Sequence, residues 1–416
     1  MKTTRLIATL LMLSVASTTL WAQEIKGNSG DFSAGISKSF TVQPGGKLEI
    51  QAFNSDIKIV AWNKETIQIK HDMEIDTYTR EEAAEIAERV ERGYTQRGNT
   101  INIQTVPHGR RDHNKLDIML PEQFDVDINL LKGDITLSGV NGNIIINSTD
   151  GDIVLRQMNG DFNIQTASGD LGFYYIDGNL KASSAGGDVE LQQIAARTEI
   201  RTAGGDIELN DAENSVSLIT AGGDVQISNC KKSVVAETRG GDIKVENVTG
   251  SVNLVTSGGD IEIINIDGKV NAATKGGEIN GENLGAQIDV ETMGGEIVLE
   301  NVRTGARVKT FGGDIHFEMT LKNFNKPHAV DLETMGGSIV AKLPSKLPAY
   351  IHAEIRFDPQ KSLFKRFDIY SDFPLTKSPP DENEDKKLIS TGEINEGGDK
   401  ITLKANGGDI YIKKTD

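Results

Sequence analysis

A glycine followed by an acidic residue and then an aliphatic residue recurs through the middle of the chain every 18 residues. From Gly187 onward a second glycine precedes each of these marker glycines. A fixed period of this size is typical of a solenoid, in which each repeat forms one rung of a stack. The markers are Gly133, Gly151, Gly169, Gly187, Gly205, Gly223, Gly241, Gly259, Gly277, Gly295 and Gly313.

Within each repeat, apolar and polar residues alternate as they do in a strand with one buried face. Most repeats have apolar residues two and four positions after the marker, such as Ile207 and Leu209. A second alternating stretch begins eleven positions after the marker, as at Val234. The sequence therefore predicts an all-β protein whose regular part, residues 126–342, is a parallel β-solenoid, or β-helix. Each 18-residue rung is predicted to contain two main strands.

Two polar columns mark the predicted corners of the rungs. A hydroxyl residue stands fifteen positions after the markers, as at Thr256, and we expect it to bond along the stack or to the Gly-Gly corner. An asparagine stands six positions after the later markers, as at Asn247, where a ladder would satisfy the amides of a corner. Cys230 falls in an apolar column and is interpreted as a small buried hydrophobe rather than a reactive thiol.

The repeat is interrupted near the beginning of the chain. Residues 23–125 are predicted to contain N-terminal rungs and a cap that includes an amphipathic helix over residues 79–97. Thr79 and Glu82 have the spacing of a capping box, and Tyr94 falls on the apolar face. The expected role of the helix is to cover the open end of the solenoid, where unpaired strands would otherwise aggregate edge to edge.

The pattern also breaks near the end of the chain. Residues 343–416 are predicted to contain an excursion, an exposed charged linker over 379–387 and a closing rung that begins at Ile401. A mixed cluster of charges in the excursion is the one place where an enzymatic site would fit, and a solvated surface is the favoured interpretation. Its members are Arg356, Asp358, Lys361, Lys365, Arg366 and Asp368.

The first 22 residues have the layout of a secretory signal peptide, with basic Lys2 and Arg5 before an apolar run that ends in small residues at Ala22. No other stretch approaches the apolar length of a membrane-spanning helix. The formal net charge of −17 repels polyphosphate, so nucleic acids and anionic membranes are poor candidates for partners. We therefore expect a bacterial protein exported to the periplasm, the extracellular space or the cell surface.

The acidic residues that follow the markers would stack along one edge of the solenoid. Such carboxylates repel one another, and Ca²⁺ would relieve the repulsion. The calcium β-roll nonapeptide is missing, however, and an aspartate after a glycine also suits hydrogen bonding within a turn. A structural role is therefore favoured and no cofactor is predicted, with Ca²⁺ as the alternative. The candidate ligands for Ca²⁺ are Asp188, Asp206, Asp224, Asp242 and Asp260.

No catalytic residues are predicted. The chain contains no His-Glu-x-x-His, no Gly-x-Ser-x-Gly and no phosphate-binding glycine loop. The rungs from Gly133 to Gly313 admit no insertion that would build the wall of an active-site cleft. Tyr174 and Tyr175 form the one predicted aromatic pair on the shaft, so they are the candidate residues for stacking on a sugar, with ordinary packing as the alternative.

Several segments of the chain resemble the exported β-strand-repeat family of unknown function that is labelled "putative adhesin". The resemblance covers nearly all of the chain after the signal peptide and implies a β-solenoid of the cell envelope. It implies no catalytic residues. The segments that carry it are PGGKLEI (44–50), SDIKIVAW (55–62), LPEQFDVDINLLKGDITL (120–137), the TAGGDIEL-type repeats (202–209, 220–227, 256–263) and NGGDIYI (406–412).

Together these observations predict an exported, non-enzymatic protein of the cell envelope or surface that interacts in the manner of an adhesin. Its rigid solenoid face would bind an unknown envelope glycan or protein. Two alternatives remain open. One is a polysaccharide-active β-helix enzyme with its site at the C-terminal end, and the other is a passive envelope scaffold. The sequence does not predict the oligomeric state.

Overall fold

A computed structural model describes residues 25–107, 113–356, 367–378 and 387–416. These residues form many β-strands and a single α-helix, which confirms the predicted all-β fold. No helix among them is long and apolar enough for a membrane span. The predicted signal peptide lies outside the described residues, as does most of the charged linker over 379–387.

The elements fall into an N-terminal part, a shaft and a C-terminal part. The N-terminal part contains β1 (Lys26–Asn28), β2 (Asp31–Thr41), β3 (Gly46–Trp62), β4 (Thr66–Ile75), α1 (Arg80–Glu91), β5 (Tyr94–Arg97), β6 (Thr100–Gln104) and β7 (His113–Pro121). The C-terminal part contains β30 (Ala349–Arg356), β31 (Ile369–Ser371), β32 (Thr376–Ser378), β33 (Lys387–Ile394), β34 (Asp399–Asn406) and β35 (Ile410–Thr415).

The shaft between them is a continuous series of strands. It contains β8 (Phe124–Lys132), β9 (Ile135–Ser138), β10 (Ile144–Asp150), β11 (Ile153–Thr166), β12 (Leu171–Ser184), β13 (Val189–Ile194), β14 (Arg197–Thr202), β15 (Ile207–Ala212), β16 (Val216–Ile219), β17 (Val225–Cys230), β18 (Val234–Glu237), β19 (Ile243–Val248), β20 (Val252–Val255), β21 (Ile261–Ile266), β22 (Val270–Ala273), β23 (Ile279–Leu284), β24 (Ile288–Thr292), β25 (Ile297–Val302), β26 (Ala306–Thr310), β27 (Ile315–Met319), β28 (Val330–Thr334) and β29 (Ile339–Pro344).

Successive repeats of the shaft pair in parallel, each residue opposite the equivalent residue of the next repeat. In β15 and β17, for example, Ile207 pairs with Val225. In β16 and β18, Val216 pairs with Val234. These four side chains are at most 3% exposed, because alternate residues of a strand point into the interior. Burial of each such side chain stabilises the fold by about 1.5–3 kcal/mol.

The corner columns predicted from the sequence have the expected hydrogen bonds. Threonine hydroxyls of the shaft bond to the corner glycines, as Thr274 does to the carbonyl oxygen of Gly259 at 2.9 Å. The asparagines of the second column have φ values between 54° and 60°, and Asn265 donates to the side-chain oxygen of Asn247 at 2.9 Å. Asparagine tolerates this left-handed conformation better than most residues, which explains its recurrence at the corner.

The N-terminal end does not stack in chain order. Strand β3 pairs with β8 on one side, where Leu48 faces Val126, and with β6 on the other, where Leu48 faces Ile101. The later segment β6–β7 therefore lies outside the first rung of the chain. Antiparallel pairs then complete this end, with β4 on β7, β2 on β4, β1 on β2 and β5 on β6.

The predicted helix is shorter in the structure than the sequence indicated. Its N-terminus is as expected, with the Thr79 hydroxyl accepting a hydrogen bond from the backbone N–H of Glu82. The prediction was wrong for residues 92–97, because the chain turns at Gly93 and residues 94–97 form β5. A side chain on Gly93 would lie 2.1 Å from the carbonyl oxygen of Gln104. The ring of Tyr94 is buried, and its hydroxyl lies 2.6 Å from Nδ1 of buried His71.

The strands of the C-terminal end are also not stacked in chain order. The last strands of the chain, β34 and β35, pair with β28 and β29 on one side and with β30 and β31 on the other. Leu403, for example, lies between Leu332 and Ala353. The predicted closing rung is therefore not the outermost one. An antiparallel layer of β33 and β32 follows β30.

Candidate binding groove

The acidic column forms a ladder of hydrogen bonds along one corner of the shaft. The side-chain oxygen of Asp242, for example, accepts a bond of 2.7 Å from the backbone N–H of Asp260, one repeat later. Among the described residues, no group of three or more His, Cys, Asp or Glu side chains is arranged to hold a metal ion. The carboxylates that accept such a bond include all the candidate Ca²⁺ ligands, Asp188, Asp206, Asp224, Asp242 and Asp260.

The two predicted sugar-stacking residues occupy different environments. The ring of Tyr174 lies 4.0 Å from the guanidinium carbon of Arg156, and its hydroxyl donates to Glu190 at 2.6 Å. Burial and the Glu190 carboxylate raise the pKa of Tyr174. Tyr175 stands at the corner position with a φ of 59°, and 54% of it is exposed. Tyr174 is thus held between charged partners, while Tyr175 extends from a corner.

The structure describes only part of the C-terminal charge cluster. Arg356 forms an ion pair of 2.5 Å with Glu354, and Asp368 forms one of 2.6 Å with Lys377. Burial acts to raise the pKa of both carboxyl groups, but hydrogen bonds from their partners outweigh it, so both pKa values fall below their ordinary range. A general acid needs the opposite shift. The other four members, Asp358, Lys361, Lys365 and Arg366, lie outside the described residues.

A concavity with a volume of about 840 Å³ lies across the second strands of several consecutive repeats. We call it the shaft groove. It follows the outward-facing side chains of β10, β11, β12, β14, β16 and β18 and of the turns before them. Its exposed and half-buried lining residues are Asn143, Ile145, Asp161, Asn163, Asn179, Lys181, Arg197, Glu199, Arg201, Ser215, Ser217, Ser233 and Val235.

The floor of the shaft groove offers side chains rather than backbone groups to a ligand. Each central strand has a parallel neighbour on both sides, as β14 has in β12 and β16. The N–H and C=O groups of the floor are therefore used within the sheet, and a partner cannot add a strand there. The side chains that remain are rich in amides and hydroxyls, which both donate and accept hydrogen bonds.

The shaft groove is locally cationic in an acidic protein. Both of its carboxylates have partners, since Asp161 accepts a hydrogen bond of 2.7 Å from Asn179 and Glu199 lies 3.0 Å from Arg201. Lys181 and Arg197 form no ion pair within the part of the chain that the structure describes. The lining therefore holds three cations, Lys181, Arg197 and Arg201, against two carboxylates, which gives it a net charge of +1 on a chain whose net charge is −17.

The periodicity of the sequence does not predict this groove. Curvature of a sheet face follows from strand twist and from the neighbouring turns, which no single column of residues reveals. A weaker signal was present in the sequence. Asparagine, serine and the basic residues Lys181, Arg197 and Arg201 are concentrated at outward positions of neighbouring repeats.

Solved structures similar to this chain come from several bacteria. A protein of Bacteroides fragilis named as a putative adhesin is 16% identical, with a TM-score of 0.31 over 58% of this chain and 96% of that one. A putative cell adhesion protein of Clostridium sporogenes is 10% identical, with a TM-score of 0.16 over 92% and 100%. A putative lipid binding protein of Parabacteroides distasonis is 11% identical, with a TM-score of 0.15 over 74% and 96%.

Sequence comparison identifies the family. No curated protein matches the chain significantly. The Toastrack DUF4097 family, by contrast, matches residues 45–232, 174–296 and 228–413. These matches span nearly the whole described structure and confirm the resemblance to a repeat family of unknown function. The chain belongs to the Toastrack DUF4097 family.

Proposed function

We propose that this protein is an exported, non-enzymatic interaction protein of the bacterial cell envelope or cell surface. It acts in the manner of an adhesin and binds its partner in the shaft groove. The observation that carries the proposal is the groove itself, which collects amide, hydroxyl and cationic side chains from several repeats on one concave surface. The signal-peptide pattern in residues 1–22 supports the proposed export.

The rigidity of the shaft favours a binding role. The groove strands pair on both sides, and buried aliphatic residues such as Ile200 and Leu218 fix their inner faces. A partner would therefore meet side chains that are already positioned, which reduces the entropy lost on binding. Concave surfaces with a few fixed polar groups are the usual form of ligand sites.

The chemistry of the described carboxyl groups also favours binding over hydrolysis. A glycosidase needs two carboxyl groups on either side of the scissile bond, and one of them has a raised pKa. In the groove, Asp161 and Glu199 are each engaged with a neighbouring side chain. At the C-terminal end, the pKa values of Glu354 and Asp368 are lowered rather than raised.

A binding screen tests this proposal. The chain from Gln23 onward is presented to immobilised glycans and envelope fractions, and the same mixtures are assayed for released sugar. In the variant Ser217→Trp a large ring fills the groove. The matched control Gln226→Trp places the same ring on an exposed strand position outside it.

We expect saturable binding without product, lost in Ser217→Trp and retained in Gln226→Trp. Equal binding by the two variants would contradict a role for the groove. Release of sugar would overturn the proposal in favour of a polysaccharide-active enzyme. Absence of any saturable binding would overturn it in favour of a passive scaffold.

A further inference from the structure

We infer that the ligand of the shaft groove is an acidic glycan, and that a sugar carboxylate binds between Lys181 and Arg197. This inference rests on the proposed function and specifies the class of partner. Three features of the groove support it: the arrangement of its cations, the engagement of its carboxylates, and the kind of polar and apolar groups that surround them.

The two cations stand close together on neighbouring strands. Lys181 lies on β12 opposite Glu199 of β14, and Arg197 lies on β14 opposite Asn179 of β12. Neighbouring strands are about 4.8 Å apart, and residues two positions apart on a strand are about 6.5 Å apart on the same face. One carboxylate can therefore be reached by both long side chains. The planar guanidinium of Arg197 suits paired hydrogen bonds to the two oxygens of such a group.

The groove can receive this anion without losing an existing ion pair. Glu199 is engaged by Arg201, and Asp161 by the amide of Asn179. Lys181 and Arg197 are both exposed and form no ion pair among the described residues. A ligand carboxylate would thus pair with two cations that form no ion pair of their own and would offset the net charge of +1 of the lining, and a neutral ligand would do neither.

The groups around the cations suit a sugar chain better than an acidic peptide. Amides of Asn143 and Asn163 lie on one side, and hydroxyls of Ser215, Ser217 and Ser233 lie on the other. Such groups pair with sugar hydroxyls as donors and as acceptors. The residues that dominate binding at protein interfaces are enriched in tryptophan, tyrosine and arginine, and of these three types the lining of the groove holds only arginines. The aromatic ring that contributes to the groove, Phe162, is only 2% exposed.

Isothermal titration tests the inference with three oligosaccharides of matched length. They are an oligogalacturonate, which carries carboxylates, a sulfated dextran oligosaccharide and a neutral maltooligosaccharide. The double variant Lys181→Gln/Arg197→Gln removes both cations. The control Lys244→Gln/Arg307→Gln removes the same charge from shaft positions outside the groove, where both residues lie near a carboxylate. Thermal melts verify that both variants are folded.

We expect the oligogalacturonate to bind most tightly, with the groove variant weaker by about tenfold or more because two charge-assisted hydrogen bonds are lost. The affinity of the control variant for the oligogalacturonate should stay within about twofold of that of the original chain, since exposed ion pairs contribute little. A preference for the sulfated chain would overturn the assignment of a carboxylate.

Equal binding of the neutral oligosaccharide, unaffected by the groove variant, would overturn the inference and leave the proposed function standing. Identification of an acidic protein as the partner would likewise overturn the inference and leave the proposed function standing. If no glycan or envelope fraction binds at all, both the inference and the proposed function fail.

Discussion

The hydroxyl of Thr256 bridges the corner glycines of two successive repeats. It donates a hydrogen bond of 2.9 Å to the carbonyl oxygen of Gly241 and accepts one of 3.3 Å from the backbone N–H of Gly259. Thr256 is only 2% exposed, so water cannot readily replace either bond. The same pair of bonds recurs at Thr220, Thr238, Thr274, Thr292, Thr310 and Thr334.

The first prediction concerns this bridge. Thr256→Val keeps the shape of the side chain but leaves a buried carbonyl oxygen and an N–H without the hydroxyl. We expect the free energy of unfolding to fall by about 1–3 kcal/mol, measured by urea denaturation. Thr256→Ser retains the hydroxyl and should lose less. Equal stability of the two variants would show that the bridge contributes nothing.

The second prediction compares two adjacent glycines of the same corner. A Cβ on Gly259 would lie 2.0 Å from the carbonyl oxygen of Gly241, whereas a Cβ on Gly258 would have its nearest contact at 3.4 Å. Gly259→Ala must therefore force the two repeats apart, and we expect a loss of about 3 kcal/mol or more, or failure to fold. The free energy of unfolding of Gly258→Ala should stay within about 1 kcal/mol of that of the original chain. Similar melting temperatures for both would contradict this geometry.

The third prediction concerns the left-handed corner at Tyr175. Its φ of 59° matches the corner asparagines, but a tyrosine is more strained in this conformation than an asparagine is. We expect Tyr175→Asn to raise the free energy of unfolding by about 1 kcal/mol. Because Tyr175 does not line the shaft groove, glycan binding should be unchanged. A loss of binding would restore Tyr175 as a ligand-stacking residue.

The fourth prediction separates hydrogen bonding from Ca²⁺ binding in the acidic ladder. Asp242→Asn retains an oxygen that accepts the N–H of Asp260, and Asp242→Ala removes it. We expect the asparagine variant to be as stable as the original chain and the free energy of unfolding of the alanine variant to fall by about 1 kcal/mol. Melting temperatures measured in Ca²⁺ and in chelator should agree. A rise with Ca²⁺ that disappears in Asp242→Asn would instead establish a cation site.

The fifth prediction concerns the buried thiol. Burial raises the pKa of Cys230 to about 12, so the folded protein keeps the thiol neutral at pH 8.5, where an exposed cysteine is about half ionised. We expect no alkylation by iodoacetamide at that pH until denaturant is added. Because the folded pKa is the higher one, any contribution of this group to stability is present below about pH 8.5 and is lost as the pH rises towards 12. Rapid labelling of the native chain would contradict a core role for Cys230.

The repeat was predictable from the sequence because residues in equivalent positions contact one another. Ile243, for example, pairs with Val225 on one side and Ile261 on the other, so every position of the column meets the same requirement for an apolar side chain. The corner columns follow in the same way, since each threonine or asparagine repeats one local geometry. Periodicity therefore determined the strands, the inward faces and the corners of the shaft.

The order of the strands at the two ends and the position of the groove were decided by the tertiary structure. The apolar pattern of β3 is satisfied by β8 on one side and by β6 and β7 on the other, and nothing local selects which segment lies outside. Tyr94 suited a helix face and a strand equally well, and in the folded protein it lies on β5, where its hydroxyl contacts buried His71. Outward residues such as Lys181 and Arg197 contribute no apolar periodicity, so only the curvature of the folded sheet brings them into one concave site.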